Sequence, residues 1–212
     1  VSGRGRRGRP WHSPKGSGIW MSILLRPQIH PMSASMLTLV AAMAVYDAIS
    51  SRVEGCAIKW PNDIVIDGRK VCGILTEMSS ELDNIHYVVI GIGINVNTDD
   101  FPEDIASVAA SMHVITGTYY KRAEIIADIW KSFEKYYDFF VQTENLALMV
   151  DAYNQRLVNM DRRVLIEERG HQYEGTARGI DAEGALLVER DDGTTTAVIS
   201  GEVSVRGVLG YV

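Results

Sequence analysis

Short apolar runs, helical spacings and alternating strands succeed one another along this chain. Gly18–Leu25 (GIWMSILL) is an apolar run bounded by Gly18 and Pro27, the pattern of a buried strand. Met36, Leu39, Val40, Met43, Ala44 and Ile49 then recur as on one helix face. Pro31 and Ser33 precede them and Gly55 follows, which predicts a helix to about Arg52. Ala57–Trp60 reads as a short strand stopped by Pro61. Ile64–Ile66 and Lys70–Met78 flank Asp67-Gly68, a strong two-residue hairpin signal. Ile85–Val96 is another buried strand, loosened by Gly91 and Gly93. Residues 99–118 read as a loop with a short helix. Ile125, Ile129, Trp130, Phe133, Tyr137 and Phe140 predict a helix from Tyr120 to about Val141, its aromatic stripe serving the core, and a second helix follows from about Leu146 to Leu157. Near residue 160 the pattern changes to short alternating strands with turns at Arg169-Gly170, Glu183-Gly184 and Asp192-Gly193, the signature of a small β-barrel. The expectation is an α+β chain: a mixed β-sheet with packed helices over 1–159, then a small barrel over 160–212.

Composition adds limits. With 46% apolar and 23% charged residues the chain can build an ordinary globular core. Its two cysteines, Cys56 and Cys72, form neither a disulfide framework nor a zinc pattern, and fit a reducing cytoplasm. The five histidines are scattered, against a histidine-ligated metal. No stretch approaches the roughly 20 apolar residues of a membrane span and no signal peptide is visible, so no membrane partner is expected. The chain opens on Val1 inside a glycine-arginine run, which reads as a fragment lacking its N-terminal part.

Charge is distributed unevenly. The net charge is −6, yet the first nine residues carry Arg4, Arg6, Arg7 and Arg9 and no acid, leaving −10 on the other 203. Such concentration predicts a site for a small anion rather than a broad nucleic-acid face. In GRGRRGR, glycines allow backbone amides to turn inward as a nest and arginines add planar forks for carboxylate or phosphate. The competing reading is a disordered Arg-Gly tail touching RNA; Trp11 and the strand after Gly18 favour an ordered loop.

A second cluster is KWPNDI, Lys59–Ile64. Asn62 and Asp63 offer oxygens suited to Mg²⁺, and Lys59 suits a phosphate; the alternative is a polar turn whose side chains cap backbone groups. A regular hairpin at Asp67-Gly68 sets Val65 opposite Lys70 and Asp63 opposite Cys72. Asp63 and Lys70 then lie on one face about 7–8 Å apart, suited to gripping one phosphate rather than to a direct ion pair. GIGIN, Gly91–Asn95, lacks the third glycine of a dinucleotide fingerprint. Its glycines are read as allowing close approach of a flat ligand or a second backbone; Asn95 would read an adenine edge or pair with backbone.

In order, GRGRRGRPW, KWPNDI, the lysine of RKVCGIL, GIGINVN and SGEVSVRG resemble the biotin–protein ligases, also called biotin–[acetyl-CoA-carboxylase] ligases, over nearly the whole chain. The resemblance implies a sheet-and-helix fold related to class II aminoacyl-tRNA synthetases, followed by an SH3-like barrel. It implies ATP-dependent formation of biotinyl-5′-AMP, then transfer of biotin to a lysine of a biotin carboxyl carrier domain. By resemblance, Gly3, Arg4, Gly5 and Arg6 belong to the biotin- and adenylate-contacting loop, with Arg6 retaining the adenylate. Arg9 and Lys59 contact the triphosphate, Asn62 and Asp63 bind magnesium and phosphate, Lys70 meets the biotin carboxylate and transferred phosphoryl, Gly73 and Leu75 wall the biotin pocket, and Asn95 approaches adenine. The family's Ser/Thr-rich strand and the glutamine before the basic loop are not in this sequence. A homodimer is compatible with the resemblance, and DNA binding is expected only if a further N-terminal domain exists. Lipoate ligase, of the same fold, is the rival enzyme; an Arg-Gly nucleic-acid binder is the rival of another class.

Overall fold

The computed structural model describes residues 3–8, 10–168, 171–199, 203–207 and 211–212. Arg9, the Arg169-Gly170 turn and the start of SGEVSVRG therefore lie outside the described residues.

The basic run is a small hairpin: β1 (Gly3–Arg4) pairs antiparallel with β2 (Pro10–Trp11), joined through a 3-10 turn at Arg6–Gly8. A five-stranded sheet follows, in the order β3 (Ile19–Leu25), β7 (Asn84–Ile94), β6 (Arg69–Glu81), β5 (Asp63–Ile66), β4 (Cys56–Lys59). Its four ladders are all antiparallel; short connections dictate this for β4–β5, β5–β6 and β6–β7, whereas β3 joins β7 from far along the chain. The parallel component of the expected mixed sheet is confined to two isolated bridges, Ile58 with Leu157 and Lys70 with Ala109. Asp67 (φ 49°) and Gly68 (φ 76°) both occupy the left-handed region, the geometry of the two-residue β5–β6 turn expected of Asp-Gly.

One face of this sheet is covered by helix α1 (Leu37–Ser50), which is entered through a 3-10 turn at Pro31–Met36 and packed in turn against α3 (Arg122–Thr143). Pro31–Ser50 corrects the reading that no apolar stretch is long enough for a membrane span. It has 20 residues and a mean hydropathy of 1.6, and 72% of its most apolar window is buried inside the fold. It is largely apolar because sheet and helix enclose most of it, while Asp47 meets Tyr136 and Arg156. On α3, by contrast, Ile125, Ile129, Phe133, Tyr136 and Phe140 make a single buried stripe. Between them α2 (Met112–Thr116) is capped by the Ser111 hydroxyl and ended by Gly117 at φ 71°.

The second helix expected at 146–157 shrinks to α4 (Val150–Asn154). At its expected start, the Leu146 amide donates to the Ala182 carbonyl. The final unit is a five-stranded antiparallel sheet in the order β11 (Thr195–Val198), β10 (Leu186–Glu189), β9 (His171–Ile180), β8 (Arg163–Glu168), β12 (Val203–Gly207). It meets the first sheet near β4, where the Trp60 indole donates to the Gly184 carbonyl at 3.0 Å.

Candidate active site

The registers of the first sheet set Trp20, Gly93, Gly73, Asp63 and Lys59 side by side across five strands. Directly opposed residues point to the same side, so these five form one transverse row. It faces away from α1, whereas the neighbouring row, Ile19, Ile94, Cys72, Ile64 and Ile58, is buried. The middle of the outward row has no side chains. Trp11 of the basic hairpin lies there: a Cβ on Gly73 would stand 2.6 Å from its ring, and one on Gly93 2.9 Å. The flat group expected to approach GIGIN is thus this chain's own indole. The Trp20 ring meets it edge-on at 6.4 Å and the Lys70 ammonium lies 5.3 Å from its centroid. Gly91, one row further, meets only the Leu75 carbonyl, an ordinary contact, among the described residues.

The described loop glycines serve different purposes. Gly3 sits in β1, where a Cβ would meet the Trp11 Cβ at 2.9 Å, while Gly8 alone among the described loop glycines takes a positive φ. Arg4 is exposed, and the half-buried Arg6 donates to the Asn62 Oδ1 at 3.1 Å. Asn62 also gives its amide to the Ile74 carbonyl at 3.0 Å, so its side chain is engaged at both ends.

Two expectations about Asp63 change. Asp63 faces Gly73 rather than Cys72, because the ladder slips by one residue after Val65, leaving Val71 as a bulge. The slip coincides with a third partner: the Lys70 amide donates to the Val108 carbonyl, and the Ala110 amide to that of Lys70. Asp63 and Lys70 also make a direct ion pair, Nζ to Oδ1 at 2.6 Å, instead of standing apart. The other carboxylate oxygen accepts from the Tyr211 hydroxyl.

Lys59 is 5% exposed. Its ammonium donates to the Val205 carbonyl at 2.9 Å and lies 4.3 Å from the Tyr211 ring centroid. Burial pulls its pKa down to about 8; Asp63 opposes the fall, while Lys70, Arg206 and Arg6 add to it. Asn95 is buried with its amide on the Ala110 carbonyl, and its Oδ1 has no partner among the described residues. Leu75 lines a cavity of about 260 Å³ with Arg6, Asn62 and Thr76. The structure thus gathers Gly3, Arg6, Lys59, Asn62, Asp63, Lys70 and Gly73 at one end of the sheet, with Leu75 alongside; Asn95 follows the last residue of β7. Sequence reading passed over Tyr211, which has no local motif, and used Trp11 only as a sign of order. The glycines opposite each other in two strands were the available signal for Trp11.

Residues 1–95 match the biotin/lipoate A/B protein ligase family and residues 160–206 the biotin protein ligase C-terminal domain. The chain is 43% identical over 199 residues to the bifunctional ligase/repressor BirA of Bacillus subtilis, covering 91% of this chain and 60% of that protein. It is 32% identical to the biotin–[acetyl-CoA-carboxylase] ligase of Paracoccus denitrificans, covering 88% and 80%. In structure it resembles the Aquifex aeolicus biotin protein ligase solved in complex with biotin and ATP, at a TM-score of 0.84 and 28% identity, covering 96% and 84%. The chain thus spans about three fifths of the length of the BirA relatives. With both of its sheet regions matched and the Paracoccus enzyme covered over most of its length, the chain belongs to the biotin–protein ligase family.

Proposed function

We propose that this chain carries the catalytic machinery of a biotin–protein ligase. The biotin carboxylate oxygen bonds to the α-phosphorus of ATP, releasing pyrophosphate and leaving biotinyl-5′-AMP. A lysine amine of a biotin carboxyl carrier domain then attacks the anhydride carbonyl, loses its proton and releases AMP. The observation that carries this reading is the convergence of Arg6, Lys59 and Lys70 around Asn62 and Asp63, beside a sheet face floored by glycine.

Joining two anions requires cations. At about 4 Å and an effective dielectric near 20, each unit-charge pair is worth about 4 kcal/mol, so a few such contacts supply much of what nucleotidyl transfer needs. Lys70, the more exposed of the two lysines, meets the biotin carboxylate and the transferred phosphoryl. Lys59 holds the triphosphate. Arg6, tied to Asn62, retains the adenylate, with Gly3, Arg4 and Gly5 beside it. Gly73 and Leu75 wall the biotin site. The orphan Oδ1 of Asn95 suits the exocyclic amine of adenine, since a buried acceptor otherwise stays unsatisfied. Among the described residues no three metal-ligating side chains cluster. Asn62 and Asp63 would be magnesium's protein oxygens only through the lone pairs that Arg6, Lys70 and Tyr211 leave open, so the ion would arrive with the triphosphate and neutralise phosphate charge there. Residues 1–159 act as the catalytic part and 160–212 as a second domain.

The test is pyrophosphate release by the protein carrying this sequence, with biotin and lipoate run in parallel and a carrier domain as acceptor. Biotin-dependent release followed by biotinylation of the carrier is expected. Release driven by lipoate and not by biotin overturns the reading. Arg6→Gly is expected to keep making adenylate but to let it escape, so that unrelated lysines become labelled; unchanged labelling specificity would remove Arg6 from that role.

A further inference from the structure

Lys59 and Asp63 are direct cross-strand partners on β4 and β5. Opposite charges at such positions ordinarily pair, because their Cβ atoms stand about 4.5–5.5 Å apart. Here they are held separate. The ion pair of Asp63 is with Lys70, and the Lys59 ammonium rests on the Val205 carbonyl and the face of Tyr211. Tyr211 touches both members of the divided pair: its ring lies under Lys59 and its hydroxyl donates to Asp63 Oδ2.

We propose that Tyr211 is a positioning residue, a spacer that keeps Lys59 from collapsing onto Asp63 and so leaves the lysine available for a nucleoside triphosphate while Asp63 stays on Lys70. The inference rests on the adenylate-forming function proposed above, with Lys59 as a triphosphate contact. An aromatic face suits this task. It stabilises an ammonium electrostatically without offering a full counter-charge, so an incoming phosphate competes with a weaker partner than a carboxylate. The Val205 carbonyl is of the same kind, a neutral acceptor from β12. The last sheet thereby contributes two neutral partners to a lysine of the first sheet. Without the ring, Lys59 can reach Asp63, cancelling its own charge toward phosphate and weakening the Asp63–Lys70 pair.

The experiment is biotin-dependent ATP–pyrophosphate exchange with the wild-type chain, Tyr211→Ala and Tyr211→Phe, with thermal midpoints measured on the same samples. No exchange by the wild type would sink the ligase reading itself, whatever the variants do. With an active wild type, Tyr211→Ala is expected to raise KM for ATP about tenfold, the scale of the charged Lys59–Asp63 contact that phosphate must then break, with KM for biotin and the midpoint unchanged. Tyr211→Phe keeps the ring and should recover most of the ATP affinity. Unchanged KM for ATP in Tyr211→Ala overturns the proposal. So does a loss shared by both substrates with a lowered midpoint, which marks a merely structural role. A Phe variant as impaired as the Ala variant places the effect on the hydroxyl and overturns the spacer role.

Discussion

Two rows of residues, one position apart on every strand of the first sheet, are put to opposite uses. Ile19, Ile94, Cys72, Ile64 and Ile58 fill the space under α1. Trp20, Gly93, Gly73, Asp63 and Lys59 face the other way, with two glycines where the first row has Ile94 and Cys72. The first row is a packing solution, in which each side chain is held by its neighbours. The second keeps its centre empty of its own atoms, so that an indole and, in the proposed function, a substrate can approach the backbone. Pleating alone separates the two, because successive residues point to opposite faces. Changes on one row should therefore move stability and changes on the other should move chemistry.

The largest effect is expected at the open face. Lys70→Ala removes the cation assigned to the reacting centre and should slow biotin-dependent pyrophosphate release about a thousandfold, as loss of a preorganised charge contact does. Its thermal midpoint should shift little, because Lys70 is partly exposed and its pair with Asp63 is one of two contacts on that carboxylate. A near-normal release rate would remove Lys70 from the mechanism. On the packed row, Ile94→Ala empties a fully buried position and should cost about 3 kcal/mol in urea unfolding. Specific activity per folded molecule should be retained; if it falls with Lys70-like severity while stability holds, the two rows are not separable in this way.

Much of this division was legible before any coordinates. Ile85–Val96 reads as a buried strand loosened by Gly91 and Gly93, and Asp67-Gly68 fixes the hairpin; strand pleating then sets Ile90, Ile92 and Ile94 on the face opposite to the two glycines. The bulge at Val71 was not legible, because it goes with a distant partner: Val108 and Ala110 hydrogen-bond to the Lys70 backbone from about forty positions along the chain. A regular register consequently put Asp63 opposite Cys72. Tyr211 was out of reach for the same reason, since nothing near it in sequence indicates an aspartate 148 positions earlier. α1 misled differently. Its apolar character was read as one face of an amphipathic helix, whereas sheet and α3 bury it from both sides. Local pattern reports which face a residue takes, while the site depends on long-range partners that local pattern does not encode.

A pair of glycine substitutions sharpens the contrast within the open face. Gly73→Ala places a methyl 2.6 Å from the Trp11 ring, so the indole must shift, at about 1 kcal/mol of stability. Gly91→Ala meets only an ordinary contact at 3.6 Å and should leave the unfolding midpoint where it is. Both should weaken biotin binding by about tenfold, the effect of a methyl's worth of lost fit, as read by isothermal titration. If Gly91→Ala binds biotin normally, the ligand does not lie over that glycine and the wall runs only along Gly73 and Leu75.

An effect of no larger size concerns protonation at the end of the row. Burial brings the Lys59 pKa from 10.5 down to about 8, against the opposing pull of Asp63. The sign follows from which form binds phosphate: the ammonium is present below about 8 and is lost as the pH rises through that value. Since kcat/KM reports the free enzyme, kcat/KM for ATP should fall by about tenfold between roughly pH 7 and pH 9 if the neutral amine does not bind. Lys59→Arg separates this from any other titration. A guanidinium keeps its charge across the range, so the arginine variant, even with a poorer fit, should show a flat profile. An equal fall in both proteins would assign the titration to another group and leave Lys59 charged throughout, despite its burial.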